Sequence, residues 1–220
     1  MRINKFIAQS SNLSRRAADK VINNGRITIN GQAATTGQDV NPKDEILFDG
    51  KRLVLEMYKT IMFHKPVGYV VSRNGQGNPT IFDLLPKQFQ RLQPVGRLDK
   101  DSSGLLILTN DGQLAQRLSH PSFSKTKEYD IALNKTLKPS DKLLISRGVK
   151  LSDGLSHLTI SGNDRKWQIV MAEGRNRQIR RTFEKIGYQV MDLHRISFGP
   201  YKLGALPVGK WQIIENTDII

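Results

Sequence analysis

Three clusters of residue types in this chain could do chemistry on a charged substrate. The first is Gly96-Arg97-Leu98-Asp99-Lys100-Asp101-Ser102-Ser103-Gly104, followed by the apolar run Leu105–Leu108. A carboxylate set in a turn ahead of a buried strand can be held rigidly beside a cleft, as a nucleophile or a base. By itself the stretch reads better as a polar loop built on turn-forming Asp and Ser. The second cluster is Glu173-Gly174-Arg175-Asn176-Arg177-Gln178-Ile179-Arg180-Arg181. Its four arginines fall at the start of an expected helix, and Arg177, Arg180 and Arg181 are spaced to form one basic face. Cations ordinarily favour helix C-termini, because the N-terminal dipole is positive. Gathering them at the other end implies a polyanion or a buried carboxylate there, and phosphate contacts explain most such arginines. The third cluster is Lys125-Thr126-Lys127-Glu128-Tyr129-Asp130. An aromatic among lysines can stack a base, although a lone strand tyrosine is more often core.

A metal reading of the first cluster fails on spacing. Asp99-x-Asp101-x-Ser103-Gly104 mimics the opening of a calcium loop, which wants a bidentate Glu at its twelfth position. Asn110 stands there, and the flanks read as strand, so no metal site is expected.

The composition limits what these clusters can serve. The 220 residues carry a formal charge of +14 and no cysteine. Disulfides, Cys-ligated zinc, iron–sulfur clusters and thiol nucleophiles are thereby excluded. No apolar run approaches the ~20 residues of a membrane span, and the first six residues lack the apolar block of a signal peptide. A cytoplasmic protein that does not engage membranes is expected. A positive excess of this size points to a polyanion, with nucleic acid first. The charge is uneven, about +3 over residues 1–58 and +11 over the rest.

The elements that must position the clusters can be read in turn. Ile3, Phe6 and Ile7 share a helical face. Ser14 is a helix N-cap, Ala17, Ala18, Val21 and Ile22 form the buried stripe behind it, and Arg16 and Lys20 lie off that stripe. Gly25 ends the helix. Arg26–Ile29 alternates as a strand, Asn30-Gly31 is a hairpin turn, and Ile46–Phe48 is a strand closed by Asp49-Gly50. Further on, strands are expected at Thr60–Phe63, Tyr69–Ser72, Gly104–Thr109, Tyr129–Leu133 and around Trp167–Met171. Helices are expected at Gln113–Ser119, from Pro139, and at Asn176–Ile186 with Gly187 as C-cap. This alternation argues for an α+β chain with a mixed, largely antiparallel sheet.

Two resemblances now attach to these residues. Ser14-Arg15-Arg16-Ala17-Ala18-Asp19-Lys20, then Gly25-Arg26-Ile27-Thr28-Ile29-Asn30-Gly31, resembles the small RNA-binding module named after ribosomal protein S-four. The three clusters, in order and across nearly the whole chain, resemble pseudouridine synthases of the bacterial ribosomal branch that carries such a module. The Gly-Arg-Leu-Asp run is the most specific match. His64-Lys65-Pro66-Val67-Gly68 resembles that branch's early turn, except that Asn is expected where His64 stands, so His64 reads as a strand-end surface histidine. The resemblance implies an S-four-like α/β domain at residues 1–56 and a catalytic domain at 59–220.

It also implies roles. Asp99 matches the catalytic aspartate, Tyr129 the tyrosine that stacks on the target uracil, and Arg180 the basic residue paired with the aspartate. Arg97 is expected near the flipped nucleotide or its phosphate. RNA contacts are further expected from Arg2, Lys5, Ser14, Arg15, Arg16, Lys20 and Arg26, and from Lys127, Arg175, Arg177 and Arg181. The implied reaction breaks the glycosidic bond of a uridine in ribosomal RNA, turns the base and reattaches it through carbon 5. Asp99 could attack the ribose or remove a ribose proton, and both routes stay open. No redox step or external group transfer occurs, so no cofactor is expected. The target must first leave its stack, at a few kcal/mol. The expected partner is ribosomal RNA, naked or in a pre-ribosomal particle, bound by a monomer. The Arg175-Asn176-Arg177 run looks more like large-subunit members, since small-subunit members tend to carry Tyr-His there. A non-catalytic ribosome assembly factor is the alternative. A metal-dependent nuclease is weaker, because only Asp99 and Asp101 are close carboxylates in sequence.

Overall fold

The computed structural model describes residues 1–11, 13–41, 43–119 and 125–214. It divides into two compact units, Met1–Tyr58 and Lys59–Ile220.

The first unit holds α1 (Ile3–Ser10), α2 (Arg15–Asn23) and four short strands: β1 (Ile27–Ile29), β2 (Gln32–Ala33), β3 (Ile46–Phe48) and β4 (Lys51–Arg52). The strands form an antiparallel sheet in the order β2-β1-β3-β4. Ser14 caps α2, its hydroxyl accepting from the Ala17 N–H at 3.1 Å. Asn30 and Gly31 take φ of 51° and 82°, the left-handed pair that closes β1 onto β2. Ile3, Phe6 and Ile7 pack against Ala18, Val21, Ile22 and the sheet's Ile27 and Ile46. Ala17, expected in the stripe, is only half-buried at its edge.

The second unit begins with β5 (Thr60–Lys65) and adds β6 (Gln93–Val95), β7 (Ser103–Thr109), α3 (Gly112–Ser119), β8 (Lys127–Leu133), α4 (Pro139–Arg147), β9 (Val149–Leu151), β10 (Gly154–Ser156), β11 (Thr159–Asn163), β12 (Lys166–Met171), α5 (Gln178–Lys185), β13 (Val190–Phe198), β14 (Tyr201–Lys202) and β15 (Trp211–Ile214). The main sheet runs β11-β12-β8-β13-β7-β5-β15, with β14 on β13 and β6 on β7. Among the described strands only β13 and β7 pair in parallel, so the sheet is mixed and largely antiparallel, and the chain is α+β as its pattern implies. Strand β7 is covered on both faces. Leu106 and Leu108 enter one core, Leu105 and Ile107 the other, which is why its sequence reads as a continuous apolar run.

Two expected elements differ. Tyr69–Ser72 is not a strand; it keeps one bridge, Val70 to Thr80, because the polar Ser72–Gly77 turn follows at once. The helix expected from Asn176 starts at Gln178, since Arg177 sits at φ 46° in the left-handed region and serves as its N-cap.

Candidate active site

The loop carrying Asp99 joins β6 to β7 and is fixed from below by Lys65 at the end of β5. Lys65 is fully buried, and its ammonium donates to three carbonyls: Ser102 at 2.7 Å, Asp99 at 2.9 Å and Pro66 at 3.0 Å. Three donors meet three acceptors, so loop and strand end are tied at one point. Burial pulls the Lys65 pKa down to about 8; Asp99 and Asp101 oppose the shift and Arg195 adds to it. Leu98 is buried beside the loop, and the Gly68 N–H donates to the Lys100 carbonyl at 2.7 Å. The Asp99 carboxylate itself stays partly open, with its side chain 32% exposed.

The arginines divide between two carboxylate centres rather than forming one face. Arg177 makes a paired contact with Asp101 at 3.0 and 3.1 Å, and the same guanidinium reaches Asp99 at 3.5 Å. Arg180 is expected to pair with Asp99, but it does not. It donates to the Val190 and Asp101 carbonyls at 2.6 and 2.8 Å and pairs with the Asp101 carboxylate at 3.3 Å. Arg180 therefore clamps β13 to the loop, and Arg177 is the arginine facing Asp99. Burial pushes the Asp101 carboxyl up, but the Arg177 hydrogen bond and the two guanidinium charges outweigh it and hold Asp101 below the usual range. Arg175 and Arg181 turn instead to Asp153, between β9 and β10, at 3.0 and 2.7 Å. Arg175 also donates to the Leu155 carbonyl at 2.9 Å, which ties the β9–β10 hairpin to the segment ahead of α5. The left-handed turn at Arg177 is what breaks the expected basic face.

Asp99, Arg97, Arg177, Lys127 and Tyr129 line one cavity of about 840 Å³. Arg175 also reaches its wall, whereas Arg180 and Arg181 lie outside it. Tyr129 is 7% exposed on β8, and Arg97 is exposed. Lys127 is half-buried, and desolvation, followed by the neighbouring Arg195 charge, lowers its pKa. Among the described residues no group of three His, Asp or Glu side chains gathers where a metal ion could be held.

In the first unit Arg16 and Lys20 are exposed on α2, and Lys5 is half-buried on α1. Arg2 pairs with Asp39 at 3.2 Å, Arg26 with Asp49 at 2.5 Å, and Arg15 donates to Asn4 at 3.2 Å. The Ser14 hydroxyl is engaged as the helix cap.

His64 is not a surface histidine. It is 8% exposed, its Nδ1 is 2.7 Å from the Leu206 carbonyl oxygen, and its ring lies 5.1 Å from that of His194. The segment after residue 200 folds back over β5, which nothing at residue 64 announces. Two residues that sequence reasoning did not single out are Lys65 and Arg195. Arg195 carried a readable signal: it alternates with Leu193, which faces inward on β13.

Known proteins resemble this chain over nearly its whole length. Residues 59–185 match the RNA pseudouridylate synthase family, and residues 1–46 match the S4 domain. An uncharacterized RNA pseudouridine synthase of Aquifex aeolicus is 34% identical over 229 residues, covering 100% of this chain and 92% of that protein. The ribosomal large subunit pseudouridine synthase B of Salmonella typhi is 36% identical over 230 residues, covering 97% and 79%. A crystal structure of a pseudouridylate synthase superposes with a TM-score of 0.71 at 29% identity, over 100% of this chain and 98% of that one. The synthase match spans more than half of the residues, and relatives at this identity run nearly the full length; the chain belongs to the RNA pseudouridylate synthase family.

Proposed function

We propose that this protein converts a uridine of ribosomal RNA, in the large subunit, to pseudouridine, with Asp99 as the acting carboxylate. The observation that carries the reading is the placement of Asp99 at the wall of a cavity shared with the Tyr129 ring, on a loop that Lys65 grips through two of its backbone carbonyls. The relatives named as large-subunit synthases support the choice of RNA. The nucleotide flips into the cavity and its base rests on Tyr129. Asp99 then attacks the ribose or removes a ribose proton, and either route expels the base through its N1–C1′ bond. The base turns and a C5–C1′ bond forms, as the Asp99–C1′ bond breaks in the first route or as Asp99 returns the abstracted ribose proton in the second. The C5 proton then leaves and N1 gains a proton, so the atoms balance with no co-reactant. Arg177 places a guanidinium 3.5 Å from the Asp99 carboxylate, at the edge of the reaction centre. Arg97 and Arg177 serve the phosphates at the rim. Arg175 and Arg181, held by Asp153, contribute field more than direct contact.

Residues 1–56 act as an affinity module through Arg16, Lys20 and the neighbouring Lys5, Arg2, Arg15 and Arg26, and residues 59–220 carry the chemistry. The protein works as a cytoplasmic monomer on naked or assembling ribosomal RNA. A pure assembly factor would gain nothing from a carboxylate among arginines that face phosphate. Mapping pseudouridines in ribosomal RNA from a strain lacking the gene tests the reading. One missing large-subunit site is expected; an unchanged map overturns it.

A further inference from the structure

Arg195 sits beneath the cavity with no use assigned to it. Its side chain is 1% exposed; Nε donates to the Leu105 carbonyl at 2.7 Å, and Nη2 is buried with no hydrogen-bond partner. Its backbone packs so closely on β7 that a Cβ at Gly104 would lie 2.3 Å from the Arg195 carbonyl oxygen, and Gly104 takes φ 106°. The residue that ends the Asp99 motif is thus a glycine because Arg195 passes there.

The sheet register aims Arg195 at the proposed stacking surface. Arg195 lies directly opposite Tyr129 across β13 and β8, and Phe198 lies opposite Lys127. A register shift between Arg195 and Ser197 inserts one extra residue, so Arg195 and Phe198, three apart, face the same side. Both cations lie over the Phe198 ring, Lys127 at 5.2 Å and Arg195 at 5.0 Å from its centroid. Neither forms an ion pair among the described residues. A cation held out of water and a half-buried one over the same ring, with no carboxylate between them, are destabilised until a negative charge arrives.

We propose that Arg195, assisted by Lys127, is a further catalytic residue, donating to the uracil carbonyl oxygen that gains negative charge as the N1–C1′ bond breaks. The inference rests on the synthase reading above. When that bond breaks, its electron pair leaves with the base and spreads from N1 onto the ring carbonyls. Both routes open to Asp99 yield this same anion. A phosphate suits the spot less well, because it would have to shed water in the ground state. Uracil enters neutral and becomes charged only on the way to the transition state, so the two cations favour the transition state selectively.

The test uses the full chain and unmodified large-subunit rRNA transcripts made with uridine or with 5-fluorouridine, whose base is the better leaving group. Rearrangement is read under single-turnover conditions as loss of the parent N-linked nucleoside after digestion, a readout common to both RNAs because the fluorinated C5 has no proton to lose. RNA affinity is read by filter binding across salt. Arg195→Gln is expected to slow rearrangement of uridine by about 100- to 1000-fold, with RNA affinity and salt slope unchanged. The deficit should shrink at least about tenfold on the fluorinated RNA, where less charge stabilisation is needed. Lys127→Gln should show the same pattern, more weakly, and it keeps the test open if Arg195→Gln does not fold. Equal deficits on both RNAs would reduce Arg195 to a positioning residue and overturn the proposal. So would weakened binding with a salt slope lower by about 0.7–0.9, the mark of one phosphate no longer neutralised. A wild-type protein that rearranges no uridine would instead overturn the synthase reading itself.

Discussion

Titrating Lys65 should uncouple catalysis from stability. Its ammonium supplies three donors to three carbonyls at 2.7–3.0 Å. The neutral amine has two, so deprotonation gives up one of the three bonds and the charge assistance of the two that hold the Asp99 loop, a weakening of about 1.5–3 kcal/mol where the donor was charged. The Lys65 pKa is about 8 in the folded protein against 10.5 for the free side chain. Between those values the unfolded chain binds more protons than the folded one. Lys65 therefore makes the fold more stable, not less, as pH rises through that window, by up to about 3 kcal/mol. Single-turnover tritium release from carbon-5-labelled uridine in rRNA should show an alkaline limb near pH 8, while the Tm shows no matching fall. Lys65→Met should be slow at every pH, by at least about 100-fold through displacement of Asp99, and should lack the limb. A limb caused by ionisation of the RNA would survive in that variant. Turnover that stays flat to pH 10, well past the Lys65 pKa of about 8, or a limb that persists in Lys65→Met, would refute the anchoring role.

Three other outcomes follow from the same geometry. Tyr129→Ala should weaken productive binding by the worth of one stacked base, ~1–3 kcal/mol, whereas Tyr129→Phe should retain most turnover if the ring alone matters; rate and Kd measured on a variant with a normal melting curve decide this. Deleting residues 1–56 should weaken rRNA binding and lower the salt slope by about 0.9 for each duplex phosphate that the module neutralises, leaving a folded second unit; unchanged affinity and slope would count against the module. Arg180→Ala removes the bonds to Val190 and Asp101 but none to Asp99, so turnover should fall with little change in RNA affinity, and a normal kcat would show that the clamp is dispensable.

Much of this arrangement was legible in the residues because its determinants are local. The Ser14 cap, the Asn30-Gly31 turn and the two-faced burial of Leu105–Leu108 each follow from neighbours in sequence. The choice of arginine partner was not legible, because it depends on one left-handed residue. With Arg177 at φ 46°, helical spacing no longer applies to Arg175–Arg177, and the guanidinium nearest Asp99 comes from outside the helix. Lys65 and Arg195 were hidden for a different reason. The loop carbonyls that Lys65 grips lie 34 and 37 residues away and the one that Arg195 meets lies 90 away, and a carbonyl leaves no trace in the sequence. His64 was misjudged because the chain after residue 200 returns to cover it.

The most direct test of the account is Asp99→Asn. The substitution keeps the shape of the side chain and removes the negative charge that either route requires. Tritium release from carbon-5-labelled uridine in rRNA is measured beside filter binding, with and without chelator. Release should vanish, RNA binding should persist or tighten because a negative charge has left a basic cavity, and chelator should leave the wild-type rate unchanged. Robust release by Asp99→Asn would contradict the central claim, and full inhibition by chelator would restore the metal-dependent alternative.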